Sequence, residues 1–372
     1  MKEFILTGGR AIVPPQSPGA SCVTGRKAPP ELHSGPPLSL EQLRSLYIAT
    51  LQVGAVETNT LALAEIHFRH LKRSLGADFP VGNLKHTDLQ KHISKRALDK
   101  GRRGRKLSAV TIRKELAGFR AAWNWGVQAG LVEGPFPNKG LKFPKTTEKL
   151  PFQTRAEIER QIASGGLNAS EQADLWDCLF LSKIEIDELL EFVKANARQP
   201  WIYPMVCFAA HTGVRRSEMI RAKIGDIDLD AAVARIHEKK HAAGKRTSRR
   251  VPLSDFLVRL LRQWLANHPG SPFLFAQNEL VFRSSRKRGV ALQITRDEAQ
   301  DHFRRTMADS KWSVLKGWHV LRHSFISICV SRAIDQRVLR TWVGHTTAEM
   351  EARYTHLYPS AEKELLGSAF GG

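Results

Sequence analysis

Between Gly317 and His356 the chain sets out a row of residue types that suit phosphodiester chemistry. His319, Arg322 and His323 open an apolar-periodic segment, Gly344 and His345 follow it, and Tyr354 stands nine residues past His345. An arginine clamps phosphate oxygens with paired N–H bonds and keeps its charge at any working pH. Histidines donate to a phosphoryl oxygen or move protons. A tyrosine hydroxyl becomes a nucleophile where nearby cations lower its pKa from about 10. Each residue alone has a plainer use: a helix-end histidine, a C-cap glycine, a tyrosine packed in the core. His319 and His323 have the i, i+4 spacing of a zincin helix, but Val320 stands where that motif needs a glutamate.

Upstream, His211-Thr212-Gly213 reads as a break between helices, with Arg215, Arg216 and Glu218 at the start of the next helix. The free N–H groups of a helix start favour an anion there. Segments 231–237 and 249–253 alternate like two strands, and the lysine- and glycine-rich EKKHAAGKRTS between them predicts a hairpin with a basic tip. The GKR in that tip is no phosphate-binding loop, because the pattern needs a glycine where Lys239 stands.

The elements that must position these residues are mostly helices. Ser39 and Gln42 have the spacing of a capping box. Helices are predicted from Asn59 to Leu75, with Leu61, Ile66, Phe68 and Leu71 apolar, and after Thr87-Asp88. A longer one runs from Ser108 to Gly130 with Val110, Ile112, Leu116, Phe119, Trp123 and Val127 on its stripe. GPFPNKGLKFPK, at 134–145, reads as a linker. Beyond it, helical patterns cover 155–162, 184–195, 255–267 and 295–308; the apolar run 201–210 reads as a buried helix and 273–275 as a short strand. Residues 1–37, rich in Pro, Gly and Ser, read as a flexible tail, 38–147 as a first, helical domain and 148–372 as a second.

Composition narrows the partner. The 372 residues are 42% hydrophobic, enough for two globular domains. Lys and Arg outnumber Asp and Glu by 57 to 36, a formal charge of +21, which points to a polyanion such as double-stranded DNA. The basic loop 101–106, with Arg102, Arg103, Arg105 and Lys106, suits phosphate contacts on a duplex, and 283–288 is a second basic loop. No apolar run is long enough for a transmembrane helix, and the apolar stretch at the N-terminus is too short for a signal peptide. Cys22, Cys178, Cys207 and Cys329 are scattered without metal spacing, as expected of reduced thiols in a cytoplasmic protein.

The ordered set TGVRRSE at 212–218, HVLRHSF at 319–325, VGH at 343–345 and Tyr354-Thr355-His356, with a hairpin ending in RRVPL, resembles the tyrosine recombinase (phage-type integrase) family. The resemblance is close from about residue 150 to 358 and looser over 39–145, which is similar to the family's core-binding domain. It implies a mostly α fold with a small antiparallel sheet, made of a helical SAM-like core-binding domain and a catalytic domain. It implies a site-specific recombinase in which Tyr354 attacks a scissile phosphate to form a 3′-phosphotyrosine. Arg215 and Arg322 would hold the non-bridging oxygens, and His319 and His345 would hydrogen-bond the phosphate, with His319 placed to accept the tyrosine proton. A hairpin lysine would protonate the leaving oxygen: Lys240 by preference, with Lys239 and Lys245 open. Tyr358 is the alternative nucleophile, His323 is expected in a helix-holding role, and Glu218 in a supporting one. No metal or cofactor is implied. The resemblance further implies a homotetramer on paired DNA sites, working in the cytoplasm. A type IB topoisomerase-like relaxing enzyme and a catalytically inactive DNA-binding relative are the competing expectations.

Overall fold

A computed structural model describes residues 37–51, 58–101, 104, 106–145, 149–238, 248–277, 293–344, 347–357 and 366–370. The chain falls into two compact units that part between residues 146 and 147.

The first unit is helical. Its helices are α1 (Leu40–Leu51), α2 (Thr58–Leu75), α3 (His86–Leu98) and α4 (Ala109–Gln128). The Ser39 hydroxyl accepts from Gln42 N, and the Gln42 side chain accepts from Ser39 N, so the capping box closes. Ser108 caps α4 by accepting from Thr111 N at 3.2 Å. Leu43, Phe68, Leu71, Ile93, Ile112, Leu116, Phe119 and Trp123 form the core between them. The predicted stripes need correcting at three places: Ile66, Val110 and Val127 are exposed. On α4 the turn that would carry a wider stripe instead buries Glu115, which pairs with Arg96 of α3 through two bonds of 2.8 and 2.5 Å. That pair is buried, and a buried guanidinium is tolerable only when its charge is met this way.

In the second unit the helices before the sheet are α5 (Arg155–Ala163), α6 (Ala169–Trp176), α7 (Lys183–Asn196), α8 (Ile202–Thr212) and the four-residue α9 (Arg216–Met219). The sheet strands are β1 (Ile227–Asp228), β2 (Val233–His237) and β3 (Ser248–Pro252), antiparallel in the order β1-β2-β3. Then come α10 (Asp255–Ala266), α11 (Arg296–Met307), α12 (His319–Ser331), α13 (Gln336–Val343) and α14 (Ala348–Ala352). Almost all of α8 is buried, and α7, α10 and α12 pack around it. Its Pro204 sits in the first turn, where the missing N–H has no intrahelical partner to lose.

The mostly helical fold with a small antiparallel sheet is thus as expected, with local differences. A third strand, β1, pairs with β2. Residues 273–275 form only a single bridge, Lys223 with Phe273, instead of a strand. His211 and Thr212 complete α8, and the break falls at Gly213, which caps it in the left-handed region. Short α6 was not foreseen; Asn168 caps it through Ser170 N and Glu171 N. Cys178, Cys207 and Cys329 are free and buried. Among the described residues no helix is long and apolar enough to cross a membrane.

Candidate active site

The site is built where α8 hands over to α9 and where α12 begins. Gly213 has φ 62°, and a Cβ placed there would lie 2.6 Å from the Phe325 ring, so backbone and packing both require glycine. That turn aims the Gly213 carbonyl at Arg322, which donates to it from Nη1 at 2.7 Å. Arg322 is 6% exposed. Burial, and then the charge of Arg215, lower its pKa to about 10, which leaves the guanidinium charged at neutral pH.

Arg215 is the residue before α9 rather than part of it, and the anion at this helix start is the protein's own Glu218. The Glu218 carboxylate accepts from Arg215 N at 2.9 Å and from Arg215 Nη1 at 3.1 Å. A second arginine, Arg249 on β3, donates to the same carboxylate at 2.7 and 3.2 Å. Burial raises the Glu218 pKa, but the bonds and charges of Arg249 and Arg215 outweigh it and hold the group below its ordinary value.

His319 and His323 lie one turn apart on α12 with ring centres 6.3 Å apart. His319 is exposed at the surface although densely surrounded. Partial loss of water, then the charges of Arg322, Arg216 and Arg215, lower its pKa; because its ring meets solvent, the charges are the firmer cause. His323, one turn on, meets the tyrosine. Its Nδ1 shares a hydrogen bond of 2.7 Å with the Tyr354 hydroxyl. Burial, then the charges of His319, Arg353 and Arg322, press its pKa down to about 3, so the ring is neutral.

Tyr354 itself is 3% exposed. Its ring stacks on Phe152 at 4.6 Å, and Phe152 also lies 4.2 Å from the His323 ring. The Arg353 guanidinium covers Phe152 at 3.8 Å, while its Nε donates to the Leu150 carbonyl at 2.8 Å. Phe152 N donates in turn to the Arg353 carbonyl at 3.2 Å. Burial raises the phenol pKa despite the opposing charges of Arg322 and Arg353. In this seat desolvation of the phenolate exceeds the attraction of the cations, and the hydroxyl is protonated.

Arg215, Arg322, His319 and Tyr354 thus come together from the residue before α9, from α12 and from the segment after α14. Lys239, Lys240, Lys245, His345, Tyr358, Arg102, Arg103 and Arg105 lie outside the described residues. Lys106 is described: it is exposed and bridges antiparallel to Lys100. Two contributors, Arg249 and Phe152, are not among the sequence candidates, and a third, His323, has a contact the sequence does not show. Arg249 carried a signal, because alternation places it on the same inward face as Val251. His323 was seen, but its contact with the tyrosine was not. Phe152 gave no signal, since its partners are far away in sequence. Among the described residues no cluster of three or more His, Cys, Asp or Glu is arranged to hold a metal.

Comparison with known proteins bears on the family and the fold. A family model described as the phage integrase family matches residues 180–361. The chain is 30% identical to the type 1 fimbriae regulatory protein FimB of Escherichia coli K12 over 178 residues, 47% of this chain and 83% of that protein. It is 30% identical to the integrase of Salmonella phage P22 over 162 residues, 42% of this chain but only 39% of the phage protein. In fold it is similar to the Tn1549 transposon integrase solved with transposon right-end DNA, with a TM-score of 0.61 at 17% identity, over 89% of this chain and 99% of that one. A lambda integrase tetramer bound to a Holliday junction superposes with a TM-score of 0.55 at 14% identity, over 87% and 83% of the two chains. With the family model over residues 180–361 and FimB 30% identical over 83% of its own length, the chain, which gathers two arginines, a histidine and a tyrosine at one site, belongs to the phage integrase family.

Proposed function

We propose that this chain is a site-specific DNA recombinase that cuts and rejoins duplex DNA through a 3′-phosphotyrosine made by Tyr354. The observation that carries this reading is the convergence of Arg322 and Tyr354 with Arg215: the charge of Arg215 acts on Arg322, and that of Arg322 on the tyrosine. The reaction proceeds in one balanced step. The Tyr354 oxygen bonds to phosphorus as the bond from phosphorus to the 5′-oxygen breaks. The tyrosine proton passes to a histidine, and the 5′-oxygen takes a proton from the hairpin lysine, Lys240. Arg215 and Arg322 hold the non-bridging oxygens, where charge builds in the transition state. His319 and His345 hydrogen-bond the same phosphate. His319 was the expected proton acceptor, yet His323 is the histidine that touches the hydroxyl here. The covalent link conserves the phosphoester energy, so the second strand's 5′-hydroxyl reverses the step without ATP.

The partner is double-stranded DNA, in keeping with the +21 charge, and Arg102, Arg103, Arg105 and Lys106 contact its backbone. The chain acts as a homotetramer on paired sites of a mobile element, in the cytoplasm; the likeness to the lambda integrase tetramer supports the assembly. Relatives such as the tyrosine recombinase XerC of Proteus mirabilis, 23% identical over 260 residues, favour recombination over supercoil relaxation.

A nicked suicide duplex tests the reading. The chain's own site is first selected from a random duplex library and then nicked near the cleavage position. Wild type becomes trapped on it as a covalent adduct, and Tyr354→Phe does not. An adduct from Tyr354→Phe moves the nucleophile elsewhere; no adduct from wild type leaves a DNA-binding protein only.

A further inference from the structure

We propose that Arg249 is a positioning residue for DNA cleavage: by sharing the Glu218 carboxylate it keeps Arg215 turned toward the phosphate and fixes the turn at Gly344. The inference rests on the reading of Arg215 as a phosphate ligand.

The strand register makes the placement unusual. Arg249 pairs with Ile236 across the ladder and shares the inward face with Val251, both of which are buried. A hydrophobic residue is the ordinary occupant of such a position. The Arg249 side chain is nonetheless only 8% exposed. A guanidinium drawn that far from water is strongly unfavourable unless its donors are met. They are met by three different segments. Both Nη atoms bond Glu218 of α9, Nε donates to the Trp342 carbonyl near the end of α13 at 2.7 Å, and Nη1 lies 3.5 Å from Glu238 just past β2.

Those segments lead to the parts that the reaction needs. Glu218 holds Arg215 by backbone and side chain. Trp342 lies two residues before Gly344, whose φ is 76° and whose added Cβ would stand 2.8 Å from Glu238 and 3.3 Å from Arg249. Glu238 is the last described residue before the basic hairpin tip. A single buried arginine therefore ties α9, the strand pair and the end of α13 together.

Charge explains why an arginine is needed. Glu218 is 4% exposed in its side chain, whereas Arg215 is 33% exposed. Without Arg249 the buried carboxylate would have Arg215 as its remaining cation among the bonds described above. The Arg215 guanidinium would then close fully on Glu218, and its charge would be neutralised before DNA arrives. With Arg249 in place, the carboxylate is met from the inside by two bonds, and Arg215 reaches it through one longer side-chain bond of 3.1 Å instead of closing on it as a fork.

Single-turnover cleavage of the suicide duplex at saturating protein tests this. The duplex carries either a normal scissile phosphate or a neutral methylphosphonate, and the proteins are wild type, Arg249→Met, Arg249→Lys, Arg249→Met/Glu218→Gln and Arg215→Ala. On the normal phosphate, Arg249→Met lowers the cleavage rate about 100-fold, the loss expected of a misplaced catalytic group, while half-saturation by duplex barely moves. Arg249→Lys keeps the charge but loses the fork, and falls between. The double variant, lacking the competing carboxylate charge, recovers part of the rate. On methylphosphonate, which carries no charge for Arg215 to neutralise, the deficits of Arg249→Met and Arg215→Ala both shrink. An Arg249→Met deficit of equal size on both duplexes, beside a rescued Arg215→Ala, makes Arg249 a fold staple and overturns the proposal. An unrescued Arg215→Ala removes the phosphate role of Arg215, and this inference with it. If Arg249→Met does not fold, Arg249→Lys decides by the same comparison.

Discussion

The Tyr354 hydroxyl and His323 Nδ1 lie 2.7 Å apart, and both rings rest on Phe152. The proposed nucleophile is therefore covered, protonated and held by a neutral histidine. Its phenol should titrate late. In the free protein Tyr354 should ionise above the usual value of about 10, as burial also makes Tyr203 and Tyr47 do, and spectrophotometric titration of Tyr354→Phe should lose one of these late steps. Ordinary titration of every tyrosine would show that the seat is open in solution.

Phe152 should control access to that seat. Phe152→Leu keeps most of the buried volume but loses the flat stacking face; it should cost only about 1 kcal/mol of stability and speed nitration of Tyr354 by tetranitromethane. Phe152→Ala leaves a cavity and should cost about 3–5 kcal/mol. Nitration of Phe152→Leu at the wild-type rate would assign the protection to some other group.

Acid should loosen the same cluster. His323 has a folded pKa of about 3 because burial disfavours its charge; unfolded, it titrates near about 6.5. The unfolded state therefore binds the extra proton first. Stability from the neutral ring is complete above the unfolded pKa and is lost as pH falls through the window down to about 3. The slope approaches about 1.4 kcal/mol per pH unit within that window. His323→Gln cannot take the proton, so its melting temperature should fall less than that of wild type between about pH 6.5 and about pH 4. Parallel curves would place the acid sensitivity on other groups.

Gly213 should tolerate no side chain. Alanine there must adopt φ 62° and push against Phe325, and the backbone term alone is about 1–3 kcal/mol. The same carbonyl orients Arg322. Gly213→Ala should thus lower the melting temperature and also slow adduct formation on the suicide duplex by about 100-fold. A stability loss with unchanged adduct rate would separate the turn from the placement of Arg322.

In the helical unit, Glu115 is held at a pKa of about 2: burial raises it, but the bonds from Arg96 and His92 outweigh that. Glu115→Leu alone leaves the buried Arg96 guanidinium its bond to Asp99 but removes the partner of Nε and Nη2; it should cost up to about 3–5 kcal/mol, whereas Arg96→Met/Glu115→Leu should cost less. Urea unfolding of the two variants checks the difference. Equal losses would mean that shape, not charge, dominates there.

The sequence by itself determined the local elements and the candidate list. Capping pairs such as Ser39 with Gln42 report on neighbours three residues apart, so they are legible without a fold. Alternation revealed β2 and β3, and the mostly apolar 201–210 stretch announced a buried helix. Helical period alone overstated the stripes, because Ile66, Val110 and Val127 obey the spacing yet face outward; which third of a helix is covered depends on the neighbour it meets. Residue type and order also named Arg215, His319, Arg322 and Tyr354. Only the tertiary structure decided their states. Tyr354 becomes hard to ionise because Phe152, about 200 residues earlier in the chain, removes its water. His323 becomes its partner, and Arg249 joins Glu218 across 31 positions. Charge, burial and contact at such distances are properties of packing, and no spacing along the chain encodes them.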